Sequence, residues 1–494
     1  MIKLKRYHPL LMLFDLSKLV KSSIFFAVFL FVIKAGYKSN FITYGRIIFI
    51  FAVGITLISI ILKWFTHKYE LDDQSFHLYK GIFRKSERTI PFSKIQNVKR
   101  HASLFHRIFN VTSISFETGM TGEVATVKFE VISLIEADRM EAHSTSAVRD
   151  ELATIPTNPK PNRTIHFKPT RKEILEASFT SLSFLFLIPL IGSFYFKMNE
   201  IFHVEEEAEG ILSKLLSSWW MVTILIIVVV FTSAMFGIAR TFFKYGKYEI
   251  SSDQDRIYIT KGVIEETAFS ISKEKVQAIE IKQSIMKRLL GLAEVKLTSA
   301  GSLSSGEELL EINSLYPFLP IKRAYGIISE ILPAYEVTEK MNRLPRTSLW
   351  VRMFKPSWLG LVVSGVLFYF KPTVLSVEQA WWILSVGLFI IIYVLRLLDF
   401  LNTLYILNEN FIQIKKGSWT TSLFISKRDK VIEVKVSRNI FQKLLGLATI
   451  GTINRAKPIQ HAGVDDVPLV LADSFYKWYM GRRNEIEIEI DTKL

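Results

Sequence analysis

Two histidines and a run of glutamates are the residues whose types best suit chemistry. His101 and His106 carry ring nitrogens that can ligate a metal or relay a proton. A spacing of five does not set both on one helical face, however, and no acidic partner follows at a metal-ligand interval. They read as surface or sheet-edge histidines. Glu200, Glu205, Glu206, Glu207 and Glu209 crowd one short loop between two uncharged apolar runs. The chain has no cysteine, which excludes disulfides, thiolate metal sites and cysteine nucleophiles. It also lacks a Gly-rich phosphate loop before a helix, an H-E-x-x-H pair and a G-x-S-x-G elbow. The expectation is a non-enzyme with no catalytic, cofactor or metal residues.

What positions these residues is largely membrane. In 494 residues and 56.9 kDa, 49% are apolar, 38 are Phe, and the mean hydropathy is +0.27. That composition excludes a purely soluble enzyme, because its uncharged runs approach the ~20 residues that cross a bilayer. Leu215 to Ala239 is uncharged and carries Trp219 and Trp220 near its start, and Ala177 to Phe196 is uncharged as well. With the polyacidic loop between them they form a hairpin. Ile47 to Leu62 and Gln379 to Leu395 are further spans, while Ser22 to Ile33 and Pro356 to Phe370 are shorter and bounded by lysines that must snorkel. Basic residues precede each hairpin: Lys3, Lys5 and Arg6; Lys160 to Lys172; Arg343 to Lys355. By the positive-inside rule these mark the cytoplasmic face, and the first apolar run is expected to be an uncleaved anchor.

The polar segments between hairpins repeat. Gly81, Gly262 and Gly417, each after a lysine, stand 14 residues before Ile95, Val276 and Val431 (95 − 81 = 276 − 262 = 431 − 417). Gln96 and Gln277 follow in the first two copies, and Ile432 in the third. A short amphipathic helix comes next, with Ser103, Ser284 and Ser437 at or near its start and Asn110, Gly291 and Gly446 at its end. Hydroxyls suit the first position, and Asn and Gly suit a left-handed close. Strands are predicted over Thr112 to Glu117, Thr126 to Ile132, Lys275 to Lys282, Glu294 to Thr298, Phe411 to Lys415 and Val431 to Val436. Helices close the units over Ala137 to Leu152, Ile321 to Leu332 and Leu471 to Tyr479.

This motif, Ile/Val with glutamine followed by a capped helix ending in Leu-Leu-Gly-Leu, resembles the bacterial pleckstrin-homology (PH)-like domain. Three hairpin-plus-domain units look like the YdbT-type multi-pass membrane proteins of Gram-positive bacteria. The resemblance implies an α+β membrane protein with six transmembrane helices as three hairpins, each followed by a cytoplasmic PH-like β-barrel with a terminal helix. Its map is hairpin 1 over 1–66, domain 1 over 67–155, a basic linker over 156–172, hairpin 2 over 173–243, domain 2 over 244–338, a second basic linker over 339–356, hairpin 3 over 357–399 and domain 3 over 400–494. It also implies a non-catalytic module, and partners comprising the bilayer and another PH-like-domain membrane protein or a second copy.

The net charge of +16 has two readings. The repeat cores carry 9 − 5 = +4 (67–119), 9 − 8 = +1 (245–301) and 9 − 3 = +6 (402–456). Anionic headgroups would favour copies one and three; a solvated face with positive-inside bias explains the same numbers. Nucleic acid is not needed to explain the charge. A transporter is the alternative function, disfavoured by spans without ionisable groups in their middles. The acidic outer loop and basic underside together suggest a role in envelope stress or resistance to cationic peptides.

Overall fold

The computed structural model describes residues 4–34, 36, 39–72, 74–81, 85–118, 126–150, 163–180, 219–299, 314–372, 380–456 and 459–481. The chain divides into two compact units, Met1–Ser270 and Ile271–Leu494. The division falls inside the second repeat, residues 244–338, so each unit holds one whole repeat and part of the middle one.

The first unit opens with β1 (Lys5–Arg6) and α1 (Leu10–Ala27), which runs on as a wider π turn to Ile33. The span expected over Ser22 to Ile33 is therefore the distal half of a longer helix. Its proximal half is amphipathic, with Leu11 buried against the domain core. Next comes α2 (Asn40–Thr66), 27 residues long, or about 40 Å against a ~30 Å hydrocarbon layer. Arg46, a charge within that helix, donates to the carbonyls of Leu30 (3.0 Å) and Lys34 (2.6 Å). It thereby satisfies acceptors that the end of α1 leaves open.

Strands β2 (Lys68–Leu71), β3 (Ser75–Lys80) and β4 (Ser86–Pro91) join β1 in an antiparallel sheet of order β1-β2-β3-β4. A 3-10 turn, Phe92–Lys94, leads to β5 (Ile95–Ala102), α3 (Leu104–Ile108), β6 (Val111–Thr118), β7 (Thr126–Ser133) and the closing helix α4 (Leu134–Asp150). Phe76 meets Phe92 and Phe116, each at 4.7 Å between ring centroids. With Ile114, Phe129, Ala137 and Met140 they form a core under α4. The unit continues with β8 (Thr164–Phe167), α5 (Arg171–Thr180), α6 (Trp219–Tyr245), β9 (Glu249–Ser252), β10 (Arg256–Lys261) and β11 (Glu266–Ser272).

The second unit holds β12 (Val276–Gln283), α7 (Ile285–Leu289), β13 (Leu292–Ser299), β14 (Ser314–Pro320) and α8 (Ile321–Ile331), whose Ala324, Ile327, Ile328 and Ile331 make one buried face. After β15 (Asn342–Arg343) and α9 (Arg346–Phe354), Pro356 lies in the break before α10 (Trp358–Phe370). Helix α11 (Ala380–Asn402) leads to β16 (Leu404–Leu407), β17 (Phe411–Lys416) and β18 (Thr421–Lys427). The last elements are β19 (Val431–Ser437), α12 (Ile440–Leu444), β20 (Leu447–Asn454), β21 (Gln460–Pro468) and α13 (Leu469–Gly481). Phe475 and Trp478 of α13 pack onto Val431, Ile450, Val464 and Val467.

Among the described residues, four helical stretches are long and apolar enough to cross a membrane: Leu10–Ile33, Asn40–Thr66, Arg346–Phe370 and Ala380–Asn402. The 27-residue helix α6 takes up the predicted span Leu215 to Ala239 from Trp219 onward. The span over Ala177 to Phe196 lies outside the described residues from 181, as do the loop Met198 to Ser213 and residues 373–378 of the loop Pro372 to Glu378. In the third hairpin Gly360 is one point where the helices touch. A Cβ there would stand 2.9 Å from the end of the Ile392 side chain and 3.4 Å from that of Phe389, so a larger residue would oblige the Ile392 side chain to move.

Candidate functional site: sheet edges and hairpin junctions

The repeated residues build the same corner in each copy. Gly81, Gly262 and Gly417 take φ of 126, 98 and 122°, values open to glycine. A 3-10 turn then delivers Ile95, Val276 and Val431, all buried, at the start of β5, β12 and β19. The residue after them differs. Gln277 is buried and donates to the Lys275 carbonyl at 3.2 Å, whereas Ile432 is exposed; Gln96 holds the same place along β5.

Asn110, Gly291 and Gly446 close the short helices with φ of 51, 66 and 65°, so the left-handed close holds in all three. The caps at the other end are Ser103 and Ser284 in the first two copies. In the third the cap is Asn439, not Ser437. Asn439 and Gln442 form a reciprocal capping box, and Ser437 ends the preceding strand. An Asn carbonyl reaches the same N–H as a Ser hydroxyl, and Asn439 stands 22 residues after its glycine, as Ser103 and Ser284 do (439 − 417 = 103 − 81 = 284 − 262).

His106 is not a surface residue. It is 1% exposed and fills the third position of the α3 capping box, with Nδ1 at 2.7 Å from Ser103 Oγ and Nε2 at 2.8 Å from the Glu130 carbonyl. Gln442 does the same work in α12, donating to Asp466 at 2.8 Å; both pairs are 24 residues apart (130 − 106 = 466 − 442). His101, on β5, lies 3.1 Å from Thr267 Oγ1 on β11. No group of three His, Cys, Asp or Glu is gathered for a metal among the described residues.

That His101 contact marks the main architectural feature. One seven-stranded sheet has the order β7-β6-β5-β11-β10-β9-β8, and another the order β14-β13-β12-β18-β17-β16-β15. In each, the strand after the 3-10 turn of one repeat lies beside the strand before that turn in the next. The second joint is antiparallel, with Ala278↔Ser426, Glu280↔Phe424 and Lys282↔Ser422 paired. Counting from the conserved-offset glycines, Lys282 and Ser422 are 262 + 20 and 417 + 5, while His101 and Thr267 are 81 + 20 and 262 + 5. The side-chain contact at the first joint therefore links the same two offsets as the backbone pair at the second. Of the four strands at these joints sequence reasoning found β12 alone, and pairing between repeats leaves no local periodic signal from which the partners could be read.

The hairpins are tied to the sheets by ion clusters. Lys18 on α1 bonds Glu130 on β7 at 2.6 Å, and Asp15 stands 3.8 Å from both Lys18 and Lys63 of α2. In the second unit Arg352 on α9 bonds Asp399 of α11 at 2.6 Å and Asp466 of β21 at 3.3 Å. Asp399 also accepts from the Gly417 N–H at 3.0 Å. Lys63 and Asp399 hold the same place, 18 residues before their glycines (81 − 63 = 417 − 399), so the two junctions keep a bridge while reversing the sign of that member.

Electrostatics follow burial and neighbours. Burial pushes the Glu130 carboxyl up, but the hydrogen bond and charge of Lys18, with Lys128 and Lys63, outweigh it and hold it below the usual range. Glu294 behaves likewise: burial is overcome by Lys287 at 3.0 Å and Lys296 at 3.2 Å. His67, at the end of α2, is pushed down to about 4 by burial and then by Lys80 and Lys63, so it stays neutral in a basic surrounding.

The bacterial PH domain family model matches residues 23–148, 186–333 and 359–483. The transmembrane protein YdbT (UPF0699) of Bacillus subtilis strain 168 is 26% identical over 497 residues, covering 96% of this chain and 98% of that protein. No solved structure matches. The three matches fall on the three hairpin-plus-sheet repeats, and together with the apolar helices they assign the chain: it belongs to the bacterial PH domain family and is a transmembrane protein carrying that domain in triplicate.

Proposed function

We propose that the protein is a non-enzymatic scaffold of the bacterial cell membrane. Six spans hold three PH-like barrels beneath the inner leaflet, and these barrels bind one another and partner proteins rather than turning over a substrate. The observation that carries the reading is the joint between repeats. The same strand edge is used twice, with the same two offsets in contact, to fuse separate modules into continuous sheets, and strand addition is a general mode of protein recognition. Basic residues ahead of the hairpins favour the cytoplasmic side for the domains, where the charge of copies one and three would face anionic lipid. A role in envelope stress or resistance to cationic peptides fits the acidic stretch Glu205 to Glu209 opposite this basic face, and loss of resistance on gene deletion is its readout.

The test of the scaffold is purification of the full chain in mild detergent with mass determination. A complex with another PH-domain membrane protein, or a multimer, is expected. A monomer with nothing bound, from membranes never exposed to harsh detergent, overturns it.

A further inference from the structure

The edge used twice inside the chain is left open once. In the last sheet, of order β19-β20-β21, β19 holds the place of β5 and β12 but has no strand on its outer side among the described residues. The consequence shows in its side chains. Ile281 on β12 pairs with Leu423 and is 3% exposed, whereas its counterpart Val436 (262 + 19 and 417 + 19) is 42% exposed, and Ile432 is 49% exposed. Val434, two residues before Val436, packs only partly into the core.

The strand that fits this edge is defined by the two that already fit. At the seventh position after the glycine, the joining strands carry Phe269 and Phe424, both buried. Phe424 lies opposite Glu280, so that register sets a residue of that kind opposite Lys435 (262 + 18 and 417 + 18). The remaining strand of this class in the chain is β4, at the edge of its own sheet. Its seventh position is Arg88, flanked by Lys85 and Glu87. Pairing β4 of a second copy with β19 would set Arg88 opposite Lys435, and like charges directly opposite destabilise a strand pair. Charged edge strands of this kind resist unwanted pairing. The chain is thus closed to itself at β4 and open at β19.

We propose that β19, over Glu433–Ser437, is the docking edge for the strand preceding the 3-10 turn of a bacterial PH domain on a different polypeptide, one with an apolar residue opposite Lys435. This rests on the scaffold reading and names its partner strand.

Two experiments on the full-length protein in detergent or native membrane decide it. Fluorescent peptides spanning residues 417–428 (the β18 type) and 81–92 (the β4 type) are titrated against wild type and Lys435→Glu. The β18-type peptide is expected to bind wild type roughly fivefold or more tightly than the β4-type peptide, and Lys435→Glu is expected to narrow that gap by improving the β4-type peptide. Lys435 lies on β19 alone, so displacement of the internal β18 would not respond to this change. Equal binding of both peptides, or none, overturns the proposal. In cells, a photo-crosslinker at Val436 is expected to map to that strand of another PH-domain protein. Crosslinks to β4 of a second copy, or to residues 482–494 of the same chain, overturn it. A monomer on purification together with selective peptide binding would sink the scaffold while sparing the edge; the converse pattern would do the reverse.

Discussion

Asn110, Gly291 and Gly446 adopt the left-handed backbone at the end of the short helices, and nothing lies within 4 Å of where a Cβ would stand on either glycine. The penalty for a side chain there is conformational only. Asn110→Gly is expected to be neutral or slightly stabilising, while Asn110→Val and Gly446→Val lose about 1–2 kcal/mol, measured by thermal melts of the purified chain. Gly417 is a different case, since its Cβ would fall 2.0 Å from the Thr420 carbonyl oxygen. Even Gly417→Ala should cost about 2–3 kcal/mol; a melt no lower than that of Gly446→Ala would refute the close approach. These glycines were legible in the sequence because left-handed backbone selects residue type so strongly. His106 was not. Its place in a capping box is usually filled by Glu or Gln, and only its 24-residue echo, Gln442 with Asp466, reveals it.

At the scale of elements, the junction clusters tie the first and third hairpins to their sheets. Arg352 is 10% exposed and Asp466 6%, so Arg352→Met strands a buried carboxylate and should cost about 3–5 kcal/mol. Asp466→Asn in that background is expected to recover part of the loss, and a double variant no better than the single one argues against the pairing. Glu130 offers a pH test. Its carboxyl is held below the usual range, so its stabilising effect is fully present above the unfolded value of about 4.3 and fades as pH falls through the lower folded value. Glu130→Gln should flatten that acid limb of the stability curve, and an unchanged limb would show that other carboxylates dominate. The sequence displayed β6, β7, β12, β13, β17 and β19 and the helices that close each unit through period and punctuation, but not the other strands. It hid these bridges because Lys18, Asp399 and Asp466 look like ordinary charges until the fold brings them to one spot.

For the whole molecule, the repeat of hairpin and domain fixes an even number of crossings between successive domains, so all three must lie on the same side if every hairpin is a double span. The proposed cytoplasmic side rests on Lys3, Lys5, Arg6 and their counterparts before the later hairpins, since basic residues beside a span tend to be retained inside. The absence of cysteine allows single cysteines to be placed without background. With an impermeant thiol reagent on intact cells, Glu206→Cys is expected to label. A cysteine at Lys477, on α13, should label only after the membrane is opened. The joints make this more than a test of orientation. Pairing β12 with β18 joins a strand after the second hairpin to one after the third, which a single-span third hairpin would place on opposite faces of the bilayer. If Lys477→Cys labels in intact cells while Glu206→Cys does not, the map is inverted. If both label and α6 crosses once, the third hairpin crosses an odd number of times, and the β12–β18 sheet could not exist in the membrane.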